Sequence, residues 1–168
     1  MREATVARGD IVLHVRIAGV DEPAAPNVVF ANSLGTNLHL WDLVMDMLPK
    51  SIRYIRWDKR GHGKSSVPDG PYTMGQLVGD AEAVCDALNV RDCVFVGLSV
   101  GGMIAQGLAV KRMDIVRALV LSNTGAKIGT PAIWADRIAA VKAQGLEAMA
   151  DGVMQRWFGP EFYGTAAM

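Results

Sequence analysis

Three short runs made only of apolar residues, Val28–Ala31, Cys93–Val96 and Ala118–Leu121, constrain this chain more than any other feature in it. A strand that is apolar on both sides needs cover on both faces, the condition of a parallel sheet sandwiched between helices. The segments between the runs supply that cover. Leu40, Leu43, Val44, Met47 and Leu48 recur at helical spacing until Pro49, and Leu77, Val78, Ala81, Val84 and Leu88 do so behind a capping Thr73. Arg53–Trp57 predicts a further strand, and Val100–Ala109 continues as a helix directly after Cys93–Val96. Ahead of all these, Ala4–Arg8 and Ile11–Ala18 alternate around the turn pair Gly9-Asp10 and predict a β-hairpin, followed by the proline-containing loop Asp21–Asn27. Strands alternating with helices across short connections give an α/β fold, with a mostly parallel sheet flanked by helices.

After Thr124 the texture changes. From Pro131 to Met168 the chain is helix-rich, with Ile133, Trp134, Met149, Met154, Trp157 and Phe158 expected near the surface. The expected organisation is therefore a core over residues 1–126 and the start of a helical cap, or lid, over residues 127–168. Lys plus Arg equals Asp plus Glu at 17 each, which removes the global basic field that nucleic acid or an anionic membrane would require. Cys85 and Cys93 are too few for a disulfide framework and have no metal-ligand spacing with histidine. Met1–Gly9 carries charges in place of a signal-peptide core, and no apolar run reaches the roughly 20 residues of a membrane helix. These features predict a soluble cytoplasmic protein acting on a small molecule, with no nucleic-acid or membrane partner.

The chemistry is carried by Gly97-Leu98-Ser99-Val100-Gly101, a G-x-S-x-G sequence set between an apolar strand and an apolar helix. That context is the one a nucleophile elbow demands. A serine on so sharp a turn sits in a strained backbone, and the positions two before and two after it must be small; Gly97 and Gly101 satisfy both, and Gly102 allows close helix–sheet approach. Acyl transfer also needs donors aimed at the developing oxyanion. In such an architecture one is the N–H after the nucleophile, here Val100, and the other comes from a loop after an earlier strand, here Asn32-Ser33-Leu34-Gly35-Thr36, with Leu34 as the expected donor.

Serine also needs a base. The chain has three histidines, His14, His39 and His62, all ahead of Ser99, whereas the elbow architecture runs Ser, then Asp or Glu, then His. His62, between two glycines in Asp58-Lys59-Arg60-Gly61-His62-Gly63-Lys64-Ser65, is read as part of a structural turn. His14 is expected to be structural or exposed, and His39 to be the same or to line the pocket mouth. The catalytic acid and base are thus expected outside this polypeptide, on a second fragment or another subunit or in a part lost by truncation, and the chain as given is expected to be inactive alone. Consistent with a missing portion, nothing after Ala118–Leu121 reads as a neighbouring strand, so the fold is expected to be incomplete at its carboxyl-terminal end.

On these motifs, together with Trp41-Asp42 and Ser122-Asn123-Thr124-Gly125-Ala126-Lys127-Ile128-Gly129-Thr130, the sequence resembles the 3-oxoadipate enol-lactonases of the α/β-hydrolase superfamily, which belong to the β-ketoadipate pathway of aromatic-compound catabolism. The resemblance covers nearly all 168 residues, or about two-thirds of a typical member. Val100 stands where the family often has methionine, a change that spares the backbone donor. The resemblance implies ring opening of a small anionic enol-lactone with no metal or cofactor. Trp134 and Arg137, three apart on one helical face, are the candidate substrate-binding pair: Arg137 for the carboxylate, Trp134 for the ring. The alternatives are a general carboxylesterase, a cofactor-free haloperoxidase-like hydrolase, or a catalytically silent binding module on the same fold.

Overall fold

The computed structural model describes residues 1–162 and divides into two compact units, Met1–Ile128 and Gly129–Met168. Residues 163–168, the end of the expected cap segment, lie outside the described part.

The first unit is a six-stranded sheet. In chain order the strands are β1 (Arg2–Arg8), β2 (Ile11–Gly19), β3 (Asn27–Ala31), β4 (Arg53–Trp57), β5 (Cys93–Leu98) and β6 (Val116–Ser122). Their spatial order is β1-β2-β4-β3-β5-β6. The hairpin β1–β2 joins the sheet through an antiparallel pairing of β2 with β4, while β4, β3, β5 and β6 run parallel. The sheet is therefore mixed at the hairpin end and parallel where the apolar runs lie.

Period-two alternation along the strands splits the core between two faces. Val29 and Ala31 of β3 and Phe95 of β5 join the larger cluster, under α2 (Met74–Ala87) and α3 (Val100–Lys111). Phe30, one residue along, faces the other way and packs with Trp41, Met45 and Tyr54. The second helix forms as its sequence demands: Thr73 accepts from the Gln76 N–H, the Gln76 side chain accepts from the Thr73 N–H, and Val78, Ala81, Val84, Cys85 and Leu88 are buried.

Two expectations are corrected here. The periodic segment around residues 40–48 forms a 3-10 turn (Leu38–Trp41) and a short helix, α1 (Asp42–Met47), that buries Trp41 and Met45. Its expected stripe points outward, with Leu43 82% and Met47 84% exposed. The aromatic contact of Trp41 with Phe30, 5.0 Å between ring centroids, sets which side of the helix turns in. β6 ends the sheet, as expected from the lack of a following strand, but Ala118, Val120 and Leu121, read as buried, are exposed; among the described residues no strand pairs with its outer edge.

The second unit contains α4 (Pro131–Gln144), a 3-10 turn (Glu147–Met149) and α5 (Ala150–Trp157). Thr130 caps α4, Pro131 opens it, and Gly145 with φ +79° closes it. No residue of these helices is buried. Among the described residues no helix is long and apolar enough to cross a membrane.

Candidate active site

Ser99 stands between the end of β5 and the first turn of α3, at φ +56° and ψ −119°. A non-glycine residue at such angles costs on the order of 1–3 kcal/mol, which the surroundings must supply. They do so by clamping its backbone. The Ser99 N–H donates to the Ser122 carbonyl (3.0 Å), and its carbonyl accepts from the Thr124 hydroxyl (2.6 Å) and the Gly102 N–H (2.9 Å). Its side chain makes no capping hydrogen bond, and the residue is half-buried.

The glycines around it leave no room for a Cβ. One built on Gly97 would lie 2.5 Å from the Gly101 carbonyl oxygen, and one on Gly101 would lie 2.1 Å from the Ala31 carbonyl oxygen. One on Gly102 would strike the Thr124 side chain at 2.5 Å. The first two obstacles are backbone and cannot step aside.

The close approach of Gly101 to Ala31 also brings the second element of the site alongside. Ala31 pairs with Gly97 in the β3–β5 ladder, so the loop Asn32–Thr36 leaves the sheet beside the elbow. Within that loop the Gly35 N–H donates to His62 Nε2 (3.1 Å) and the Thr36 N–H to the Ser33 carbonyl (3.4 Å). The Leu34 N–H has no protein acceptor among the described residues, and its side chain is exposed. Val100 opens α3, where the first N–H groups of a helix have no partner within it.

Beneath the loop lies a buried polar cluster. Asp58 accepts from the Leu38 N–H (2.8 Å), the Lys64 N–H (2.9 Å) and His14 Nδ1 (3.1 Å). Lys59, 2% exposed, donates through Nζ to the Asn32 carbonyl (3.0 Å) and the Ser33 carbonyl (2.9 Å). Burial pushes the Lys59 ammonium down to about 7, against the opposing pull of Asp58. Arg60 forms a two-pronged pair with Asp80 at 2.6 and 2.7 Å. Gly63, at φ +53°, gives the turn room: a Cβ there would lie 2.2 Å from the Asp58 carboxylate.

All three histidines are engaged away from Ser99. His62 donates from Nδ1 to the Arg60 carbonyl (3.0 Å) and accepts at Nε2, which fixes its neutral tautomer. Burial first, and the neighbouring Lys59 cation second, hold its pKa below the ordinary value. His14 is buried against Asp58, and His39 sits at the surface 2.7 Å from Asp42. In the second unit, Arg137 lies over the Trp134 ring, 5.6 Å from its centroid. Sequence reasoning missed Lys59: a lysine after a strand is ordinarily a solvated end, and no local pattern marks this one as buried.

The family described as alpha/beta hydrolase fold matches residues 26–160. The chain is 38% identical to 3-oxoadipate enol-lactonase 2 of Acinetobacter baylyi over 159 residues, 94% of this chain and 58% of the relative. The crystal structure of the enol-lactonase from Burkholderia xenovorans superposes with a TM-score of 0.89 at 40% identity, covering 95% of this chain and 61% of that one. A hydrolase from Pseudomonas aeruginosa gives 0.89 at 40% identity over 98% of this chain and 62% of its own. The chain thus spans about three-fifths of the length of these relatives. With a matched region that takes in both the elbow and the Asn32–Thr36 loop, the chain belongs to the alpha/beta hydrolase fold family.

Proposed function

We propose that this chain carries the nucleophile of a serine hydrolase that opens a small lactone, with 3-oxoadipate enol-lactone as the favoured substrate. The observation that carries the proposal is the backbone of Ser99, held at positive φ by glycines that admit no side chain and presenting a hydroxyl that caps nothing. The enol-lactonase names of similar proteins support the lactone.

In this reading the Ser99 Oγ attacks the lactone carbonyl while its proton passes to a histidine base. The carbonyl oxygen becomes an oxyanion received by the N–H groups of Leu34 and Val100, each worth about 3–4 kcal/mol of transition-state stabilisation. Collapse breaks the ring C–O bond, and the departing enolate takes the proton from the base to give the enol of the oxo acid. Water then repeats the attack on the acyl-serine and frees Ser99. Because His14, His39 and His62 are each committed elsewhere, the proposal assigns base and acid to polypeptide other than these 168 residues, either a continuation or a second fragment. Arg137, stacked on Trp134, is the proposed partner of the substrate carboxylate.

Hydrolysis of the enol-lactone and of a neutral ester by the full-length protein tests this reading. Ser99→Ala should abolish both activities. Arg137→Ala should raise KM for the lactone roughly tenfold or more, the value of a lost charge-assisted hydrogen bond, and leave the ester unchanged. An equal effect on both removes Arg137 from the site. Faster turnover of simple esters favours a general carboxylesterase.

A further inference from the structure

Lys59 carries a buried amine that the hydrolytic chemistry does not use. Its Nζ donates to two carbonyls of the loop that carries Leu34, those of Asn32 (3.0 Å) and Ser33 (2.9 Å). The Ser33 carbonyl and the Leu34 N–H belong to one peptide unit. A trans peptide is planar, so the two point in opposite directions along one rigid plane. Whatever fixes the Ser33 oxygen therefore aims the Leu34 N–H. That oxygen is held from three sides, by Lys59 Nζ, the Thr36 hydroxyl (2.9 Å) and the Thr36 N–H (3.4 Å). The next N–H, of Gly35, is already spent on His62 Nε2 (3.1 Å). Leu34 alone of residues 34–36 keeps an amide proton with no protein acceptor among the described residues.

We propose that Lys59 is a positioning residue for hydrolysis: by holding the Ser33 carbonyl from beneath the loop it turns the Leu34 N–H outward as an oxyanion donor. This rests on the reading of Ser99 as nucleophile and Leu34 as one of its two donors. Lys59 touches neither substrate nor Ser99 in this role. The charged and titratable groups that act on it are Asp58, next to it in the chain, and His62, across the same turn. Both are themselves tied into the cluster, Asp58 through Leu38, Lys64 and His14, and His62 through Gly35 and Arg60.

The test is Lys59→Met, which keeps the apolar stem and removes the donors, with Lys59→Arg as the donor-bearing comparison, both in the full-length protein. Residual dipolar couplings report N–H directions of Leu34, Gly35 and Val100 in each folded variant. In Lys59→Met the Leu34 coupling should change while that of Val100 holds. Its kcat should fall roughly 10- to 100-fold, short of the 10²–10³ for outright loss of a donor, with KM within about threefold. Lys59→Arg should recover the coupling and most of kcat. An unmoved Leu34 coupling in Lys59→Met overturns the proposal, as does a moved coupling with unchanged kcat. A wild-type rate no higher than that of Ser99→Ala overturns the hydrolase reading itself, and the catalytic role of Lys59 with it.

Discussion

Replacing Lys59 by Met should change how stability depends on pH, and the structure sets the size and sign of that change. The Lys59 side chain is 2% exposed, and its pKa drops from 10.5 to about 7 because burial penalises the charged form more than Asp58 favours it. Between those two values the unfolded chain holds a proton on Lys59 that the folded chain does not. Unfolding stability therefore rises with pH across that window, by about 1.4 kcal/mol per pH unit. Over the whole window this amounts to about 5 kcal/mol, an upper figure because local relaxation and water entry reduce the cost of a buried charge. Lys59→Met removes the titration. It also leaves the Asn32 carbonyl without its donor and removes one of three donors from the Ser33 carbonyl, a loss that does not vary with pH.

The assay is urea unfolding of both proteins from pH 7.5 to 9.5, a range in which His62 is neutral in both states. The stability of the wild type minus that of Lys59→Met should climb by about 2–3 kcal/mol across the two units. Cys85 and Cys93, whose thiols burial pushes up, lower stability at the alkaline end, but they do so in both proteins and cancel in the difference. A flat difference would refute the reasoning, since it would mean that Lys59 keeps its proton in the fold at ordinary strength.

Other expectations follow from single contacts. Gly101→Ala forces a Cβ to 2.1 Å from the Ala31 carbonyl oxygen, a backbone atom that cannot step aside, and should cost about 3 kcal/mol by chemical denaturation along with most activity. Asp80→Ala strands the Arg60 guanidinium, whose side chain is 6% exposed, and should cost about 3–5 kcal/mol, or roughly 10 °C in Tm. His62 carries a pKa below the ordinary 6.5, so the unfolded state takes up its proton first as pH falls. Stability should decline below pH 6.5 until His62 protonates in the fold, and the hydrogen-exchange protection factor of Gly35, whose N–H then loses its acceptor, should fall.

Much of this molecule was legible in the residues, and the parts that were not share a cause. Gly9-Asp10 announced the hairpin, and the Arg53–Trp57 strand appears with the expected bounds. Thr73 caps its helix as read. These are local signals, written in spacing and turn chemistry. The insertion of β4 between β2 and β3 is not local, since a strand's own alternation says which face is buried and not which strand lies beside it. The same holds for α1, where Trp41 and Met45 win the inner side over the more regular Leu43 and Met47 because Phe30 and Tyr54 wait opposite them. At the site, Gly97, Ser99 and Gly101 were readable because a strained turn imposes residue types at fixed offsets. Lys59 was not, because its role is created by a loop 26 residues earlier in the chain.

In the proposed mechanism Ser99 attacks a carbonyl whose oxygen is received by the amides of Leu34 and Val100. The direct measurement is a crystal structure of the full-length protein with a boronic acid analogue of the lactone. It should show a bond from Ser99 Oγ to boron, with one boron oxygen about 2.7–3.1 Å from both N–H groups. Boron bonded elsewhere, or its oxygen turned away from Leu34 and Val100, would contradict the claim.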